Sequence, residues 1–84
     1  MIERKAEIHG GRPIIAGIGI SVRAIAIDNN SGLAPEEIVA DRPPLTLAQV
    51  FAALAYYYAN KQEIDDDIAA EARAYEEGAA ALSQ

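Results

Sequence analysis

Few side chains in this sequence are of a type, and at a spacing, that could do chemistry. The stretch PIIAGIGISVRAIAID, residues 13–28, runs from aliphatic residues into Gly17-Ile18-Gly19 and then a serine able to open a helix. That order can make a phosphate cradle, in which glycines let backbone amides and a helix N-terminus approach the anion. Asp65-Asp66-Asp67 and Glu36-Glu37 offer adjacent carboxylates, and His9 is the single imidazole. Each of these reads more simply as structure. A dinucleotide fingerprint needs a third glycine and a long βαβ unit. Here that position is Val22, and the following helix is interrupted by Asn29-Asn30-Ser31-Gly32. The Gly-Lys-Ser/Thr of a P-loop is absent. Consecutive helical positions point about 100° apart, so neither run of acids can chelate together. His9 beside Gly10-Gly11 reads as a turn residue. The absence of cysteine removes disulfides, thiolate zinc sites and cysteine nucleophiles together. The expectation is a protein that is not an enzyme, with no catalytic residues, no metal and no cofactor; the glycines turn a corner.

The elements around these residues follow from their patterning. Residues 2–8 place Ile2, Arg4, Ala6 and Ile8 on one side and Glu3, Lys5 and Glu7 on the other, the period of a strand. A turn at His9-Gly10-Gly11 then leads to a second strand over 12–20, giving an N-terminal β-hairpin. Ser21 is a helix N-cap, and Val22, Ile25 and Ala26 form the apolar side of a helix ending near Gly32. LAPEEIVAD is a short second helix, with Pro35, Glu36 and Glu37 suited to its first turn. Thr46 and Gln49 make a capping box for the strongest helix, whose buried stripe is read as Leu47, Val50, Phe51, Leu54 and Tyr58. Tyr56-Tyr57-Tyr58 cannot all be buried on one side, so at least one belongs at the surface. Ile64, Ile68, Ala72, Tyr75, Ala79 and Leu82 then continue as the seam of an amphipathic helix, softened by Gly78.

The fold class is mainly α: an N-terminal β-hairpin, a three-helix helix-turn-helix-like (homeodomain-like) core and a C-terminal amphipathic helix. At 84 residues the chain is one small core. Its organisation divides into residues 1–60, hairpin plus helix-turn-helix-like domain, and residues 61–84, an acidic amphipathic helix. The net charge is −6; residues 1–60 carry −1 of it and residues 61–84 carry −5. Neither part has the basic surplus of a strong nucleic-acid binder. The N-terminus MIERKAEIHGG is too charged for a signal peptide, and no apolar run approaches the ~20 residues of a membrane span, so a soluble cytoplasmic protein is expected.

GGRPIIAGIGISVRAI followed by GLAPEEIVADRPPLTLAQVFAALAYY resembles the small bacterial antitoxin family (VapB type) catalogued as domain of unknown function 433. The residues that carry the likeness are Gly10, Gly11, Arg12, Pro13, Ile15, Gly17, Ile20 and Val22. A second group is Gly32, Glu36, Glu37, Ile38, Pro44, Leu45, Thr46, Ala53, Leu54 and Tyr57. The resemblance covers about residues 2–60. It implies a homeodomain-like helix-turn-helix, a hairpin that helps dimerisation, and a PIN-like ribonuclease toxin as partner. Where the family has Arg-Gly-Thr-Arg this chain has Ala16-Gly17-Ile18-Gly19, and its second helix is capped by Ala34 rather than Ser or Thr.

Three functions are therefore expected candidates. The first is an antitoxin that occludes a ribonuclease with its C-terminal helix, through Ile64, Ile68, Ala72, Arg73, Tyr75 and Leu82. Acids along that helix would steer it to a basic RNA-binding surface. Against this stands the helix folding back on its own domain, with Arg73 paired to Glu76 or Glu77. The second is a helix-turn-helix regulator touching operator DNA through Arg12, Arg23, Arg42, Thr46 and Gln49. That binding should be weak for this chain alone, because no Arg or Lys lies between Arg42 and Lys61. Arg12 and Arg23 read equally as solvated or ion-paired, and Gln49 as a cap. The third is a dimeric adaptor. A homodimer suits all three, since Ala48, Ala52, Ala55 and Ala59 form a small-residue face open to close packing, whether within the chain or between copies.

Overall fold

A computed structural model describes residues 1–5 and 11–82, and of residues 79–82 the backbone alone. Six elements follow in chain order: β1 (Ile2–Arg4), β2 (Pro13–Ile15), α1 (Val22–Asn30), α2 (Pro35–Asp41), α3 (Leu47–Ala59) and α4 (Lys61–Leu82). The molecule is mainly helical, with one antiparallel two-stranded hairpin.

The hairpin pairs Ile2 with Ile15, Glu3 with Ile14 and Arg4 with Pro13. Ile2 packs on the core and Arg4 reaches the helices, so the two lie on one side as the alternation predicts. Ala6, Ile8, His9 and Gly10 fall outside the described residues. β2 is shorter than the expected strand over 12–20, because the chain turns immediately after Ile15. Ile18 N and Gly19 N both donate to Ile15 O, at 3.4 and 3.1 Å, and Ile15 N donates to Ile20 O at 2.8 Å. Gly17 (φ 89°) and Gly19 (φ 71°) take the positive φ that this corner requires. It delivers Ser21 back beside Ile14, and the Ser21 Oγ accepts from Ala24 N at 3.0 Å to start α1.

Gly32, at φ 96°, ends the α1 segment as expected. α2 has Pro35 in its first turn, and Glu37 accepts from Ala34 N at 3.0 Å, so the cap is held from inside the helix although Ala34 has no acceptor. At the start of α3, Gln49 N donates to Thr46 Oγ1 at 3.2 Å and Thr46 N donates to Gln49 Oε1 at 2.9 Å, the reciprocal box.

α1, α2 and α3 enclose a core of Val22, Ile25, Ala26, Ile38, Leu45, Val50, Ala53, Leu54 and Tyr57, closed by Ile15 from the hairpin and Ile64 from α4. The buried side of α3 differs from the expected stripe. Val50, Ala53, Leu54 and Tyr57 face inward, whereas Leu47, Phe51 and Tyr58 are 42, 55 and 59 % exposed. The cause lies in the helix itself. No charged residue lies between positions 43 and 60, so no polar side marks where the apolar stripe should end.

Asn60 makes the corner between α3 and α4. Its N–H donates to Tyr56 O and Tyr57 O, and its own carbonyl accepts from Ile64 N at 3.2 Å. α4 then runs 22 residues, about 33 Å at 1.5 Å per residue. Only its first two turns pack: Ile64 is 3 % exposed and Ile68 is half-buried, while every position from Ala69 to Gly78 is exposed. This projecting helix accounts for the 45 Å long dimension against 28 and 23 Å across.

Candidate interaction surface

The near half of α4 is anchored by charge as well as by Ile64. Arg4 Nη2 donates to Glu63 Oε1 at 2.6 Å and to the Tyr56 hydroxyl at 2.8 Å. The Glu63 bond, then the Tyr56 bond, raise the Arg4 pKa above its ordinary value. Arg12 Nε lies 2.8 Å from Asp67, and Arg23 bridges Asp67 and Glu71, each at 3.1 Å. Lys61 and the Tyr57 hydroxyl both donate to Asp65, at 2.7 and 2.6 Å. Those bonds hold the Asp65 carboxyl below the usual carboxylate range, Lys61 contributing most, and the pairing raises Lys61. Four of the seven acids on α4 are thus neutralised within the chain. Asp66, Glu76 and Glu77 make no ion pair among the described residues.

Beyond this anchor, α4 and α1 border an open groove of about 480 Å³ lined by Ile27, Ile68, Glu71, Ala72, Tyr75 and Glu76. Tyr75 is 79 % exposed and Ile27 is 39 % exposed. Arg73 is exposed and forms no ion pair among the described residues, so the expected pairing with Glu76 or Glu77 is absent there. The six residues read as a partner face therefore divide. Ile64 belongs to the core, Ile68 is half-buried against it, and Ala72, Arg73 and Tyr75 stand free. The side chain of Leu82 lies outside the described residues. Ile27 was not among the expected site residues. Its signal is its position, since Val22, Ile25 and Ala26 set the buried phase of α1 and Ile27 falls outside it.

Each residue read as a possible DNA contact has an intramolecular role. Arg12 and Arg23 hold α4, and Arg42 holds Asp28 of α1 with Nε at 2.7 Å and Nη2 at 3.3 Å. That pairing raises the Arg42 pKa. Thr46 and Gln49 cap α3. The glycine corner spends the amides of Ile18 and Gly19 on Ile15, leaving neither for an anion. Among the described residues no group of three or more His, Cys, Asp or Glu is placed to hold a metal, and no helix is long and apolar enough to cross a membrane.

The family model described as "Protein of unknown function (DUF433)" matches residues 2–57. This chain belongs to the DUF433 family. A similar solved structure is the crystal structure of a DUF433 member protein from Anabaena variabilis ATCC 29413. It has 31 % sequence identity and a TM-score of 0.75, covering 81 % of this chain and 67 % of that one. Comparison with the curated proteins found no match. The DUF433 match ends at Tyr57, so the hairpin, α1, α2 and most of α3 carry the family's pattern. The free half of α4, with Tyr75, lies beyond it, whereas Ile27 on the other side of the groove lies within it.

Proposed function

We propose that this DUF433 protein is an antitoxin of a type II toxin–antitoxin pair that binds a PIN-like ribonuclease through the free half of α4. The observation that carries the reading is Tyr75, 79 % exposed on a projecting helix and bordered by Ile27, Ile68 and Ala72. An exposed aromatic at a groove edge is the kind of anchor that dominates protein interfaces. Helix-in-groove recognition uses apolar anchors at this spacing. Glu76 and Glu77, unpaired beside it, supply the sign of charge that seeks a basic RNA-binding surface. Family resemblance supplies the class of partner.

A regulator that reads DNA has less support in the geometry. Phosphate contacts dominate affinity for DNA, and Arg12, Arg23 and Arg42 are already paired to carboxylates. The test is ribonuclease activity of a PIN-like enzyme encoded beside this chain. Stoichiometric addition of the full chain should abolish RNA cleavage. Undiminished cleavage, with tight specific binding of upstream DNA by the chain alone, would reverse the ranking.

A further inference from the structure

We infer that the groove between α1 and the free half of α4 receives an amphipathic helix of the partner, one that carries Lys or Arg on both sides of its apolar seam. The proposal rests on the reading of that half as a partner surface and adds the kind of element that enters it.

The lining has the spacing of one complete socket. Ile68, Glu71, Ala72 and Tyr75 all border the groove, at i, i+3, i+4 and i+7 of a single helix. Residues three and four apart are neighbours on a helix surface, and four such neighbours form the hole that takes one knob from a facing helix. Ala72 is the smallest of the four and leaves the hole deep. No other part of the described chain fills it, since Glu71, Ala72 and Tyr75 are exposed. Ile27 of α1 stands as a second wall, so an entering helix touches both elements.

The seam is also continuous with the core. Ile64, one turn before Ile68 on the same side of α4, is 3 % exposed and packed by the domain itself. The domain therefore occupies the near end of the seam and leaves the next socket open. In sequence the spacing of four and three residues continues from Tyr75 through Ala79 and Leu82.

Charge selects the occupant. Glu71 and Glu76 flank the seam on its two sides, and no cation is among the residues that line the groove. Arg23 donates to Glu71 at 3.1 Å, but that side chain stays 55 % exposed, and a carboxylate accepts from several donors. Glu76 makes no ion pair among the described residues. Arg73 lies about 160° around the helix from Tyr75 and offers the seam no compensation. A second copy laid seam to seam would set these acids against each other in either direction, on a segment that carries −5 over residues 61–84. Residues beside the seam set partner choice in paired helices, so a facing helix with basic flanks is favoured and self-pairing is opposed.

The probe is a synthetic helix of about 18 residues, long enough to form alone, with leucine along a heptad seam and lysine beside it. A second peptide has glutamate for lysine. Fluorescence anisotropy with the full chain at about 0.15 M salt should detect the lysine helix and not the glutamate one. Ala72→Trp fills the socket from an exposed position. It should weaken binding at least tenfold with an unchanged melt, whereas Ala70→Trp, on the opposite side of α4, should not. Glu76→Lys should weaken binding about fivefold or more, while Glu77→Lys, the same change in net charge turned away from the seam, leaves it. Equal binding of the two peptides, equal loss in Glu76→Lys and Glu77→Lys, or no loss in Ala72→Trp overturns the proposal. So does a dimer of the chain alone that Ala72→Trp dissociates, because a second copy would then hold the groove. The ribonuclease assay separates this from the antitoxin reading. A chain that binds the lysine helix through Ala72 and Glu76 yet leaves RNA cleavage undiminished keeps the groove and loses the toxin. Full inhibition by the Ala72→Trp chain keeps the toxin and loses the groove.

Discussion

The Tyr57 hydroxyl donates to Asp65 Oδ1 at 2.6 Å and accepts from Asn30 Nδ2 at 3.1 Å. One buried ring therefore ties the end of α1 to the second turn of α4 through the last turn of α3. Tyr57→Phe keeps the ring and removes both bonds. It should cost about 1 kcal/mol, lowering Tm by roughly 4–8 °C for a domain this size. Thermal unfolding followed by circular dichroism checks it; an unchanged Tm would mean the two Tyr57 hydrogen bonds add nothing to the packing and ion pairs that join the three helices.

The same contact sets the response to acid. Lys61 first, and Tyr57 second, hold the folded-state pKa of Asp65 below its ordinary value. An unfolded chain therefore binds that proton more readily than the folded one. The stabilisation is complete above the unfolded carboxylate value near about 4 and is lost as pH falls through the lower folded value. Urea midpoints measured from pH 6 to pH 2.5 should fall across that window, and Asp65→Asn should flatten the slope.

Arg42 and Asp28 make the second long-range tie, a two-point bond between the C-terminal ends of α2 and α1. Arg42→Ala leaves the Asp28 carboxylate, itself mostly buried, with no cation. A loss of about 1–2 kcal/mol is expected, discounted for partial exposure of the guanidinium. Denaturant titration should show it, and 1 M salt should narrow the gap between wild type and variant.

Gly78 sits inside the exposed half of α4, where an added Cβ would meet nothing within 4 Å. Gly78→Ala should therefore stiffen that half by up to about 1 kcal/mol. The expected readout is slower amide exchange around residues 72–78, with the core unchanged. Partner affinity should rise, because less order remains to be imposed on binding.

What was legible in the sequence was local. Ser21, Thr46 and Gln49 could be read as caps because each bonds within three or four residues of itself. The glycine corner could be read because only a turn explains two glycines without the rest of a phosphate motif. Surface exposure within the tyrosine run was also foreseeable, and Tyr58 provides it. The phase of α3 was hidden, since an uncharged helix has no polar side to orient it. The Arg4–Glu63 and Arg12–Asp67 pairs span 59 and 55 residues, and no spacing rule connects them. Four of the seven acids that composition assigns to the C-terminal helix are paired within the chain. Among the described residues, unpaired acids and exposed apolar surface come together around Tyr75.

That coincidence is the centre of the account, and mapping the bound surface tests it most directly. Titrating an isotope-labelled full chain with the proposed partner, a PIN-like ribonuclease, followed by amide chemical shifts, reports which residues change. The account predicts perturbations concentrated on residues 69–82 and Ile27, with Tyr75→Asp weakening binding at least tenfold at an unchanged melt. Perturbations confined to Leu47–Tyr58, or wild-type affinity in Tyr75→Asp, would contradict it.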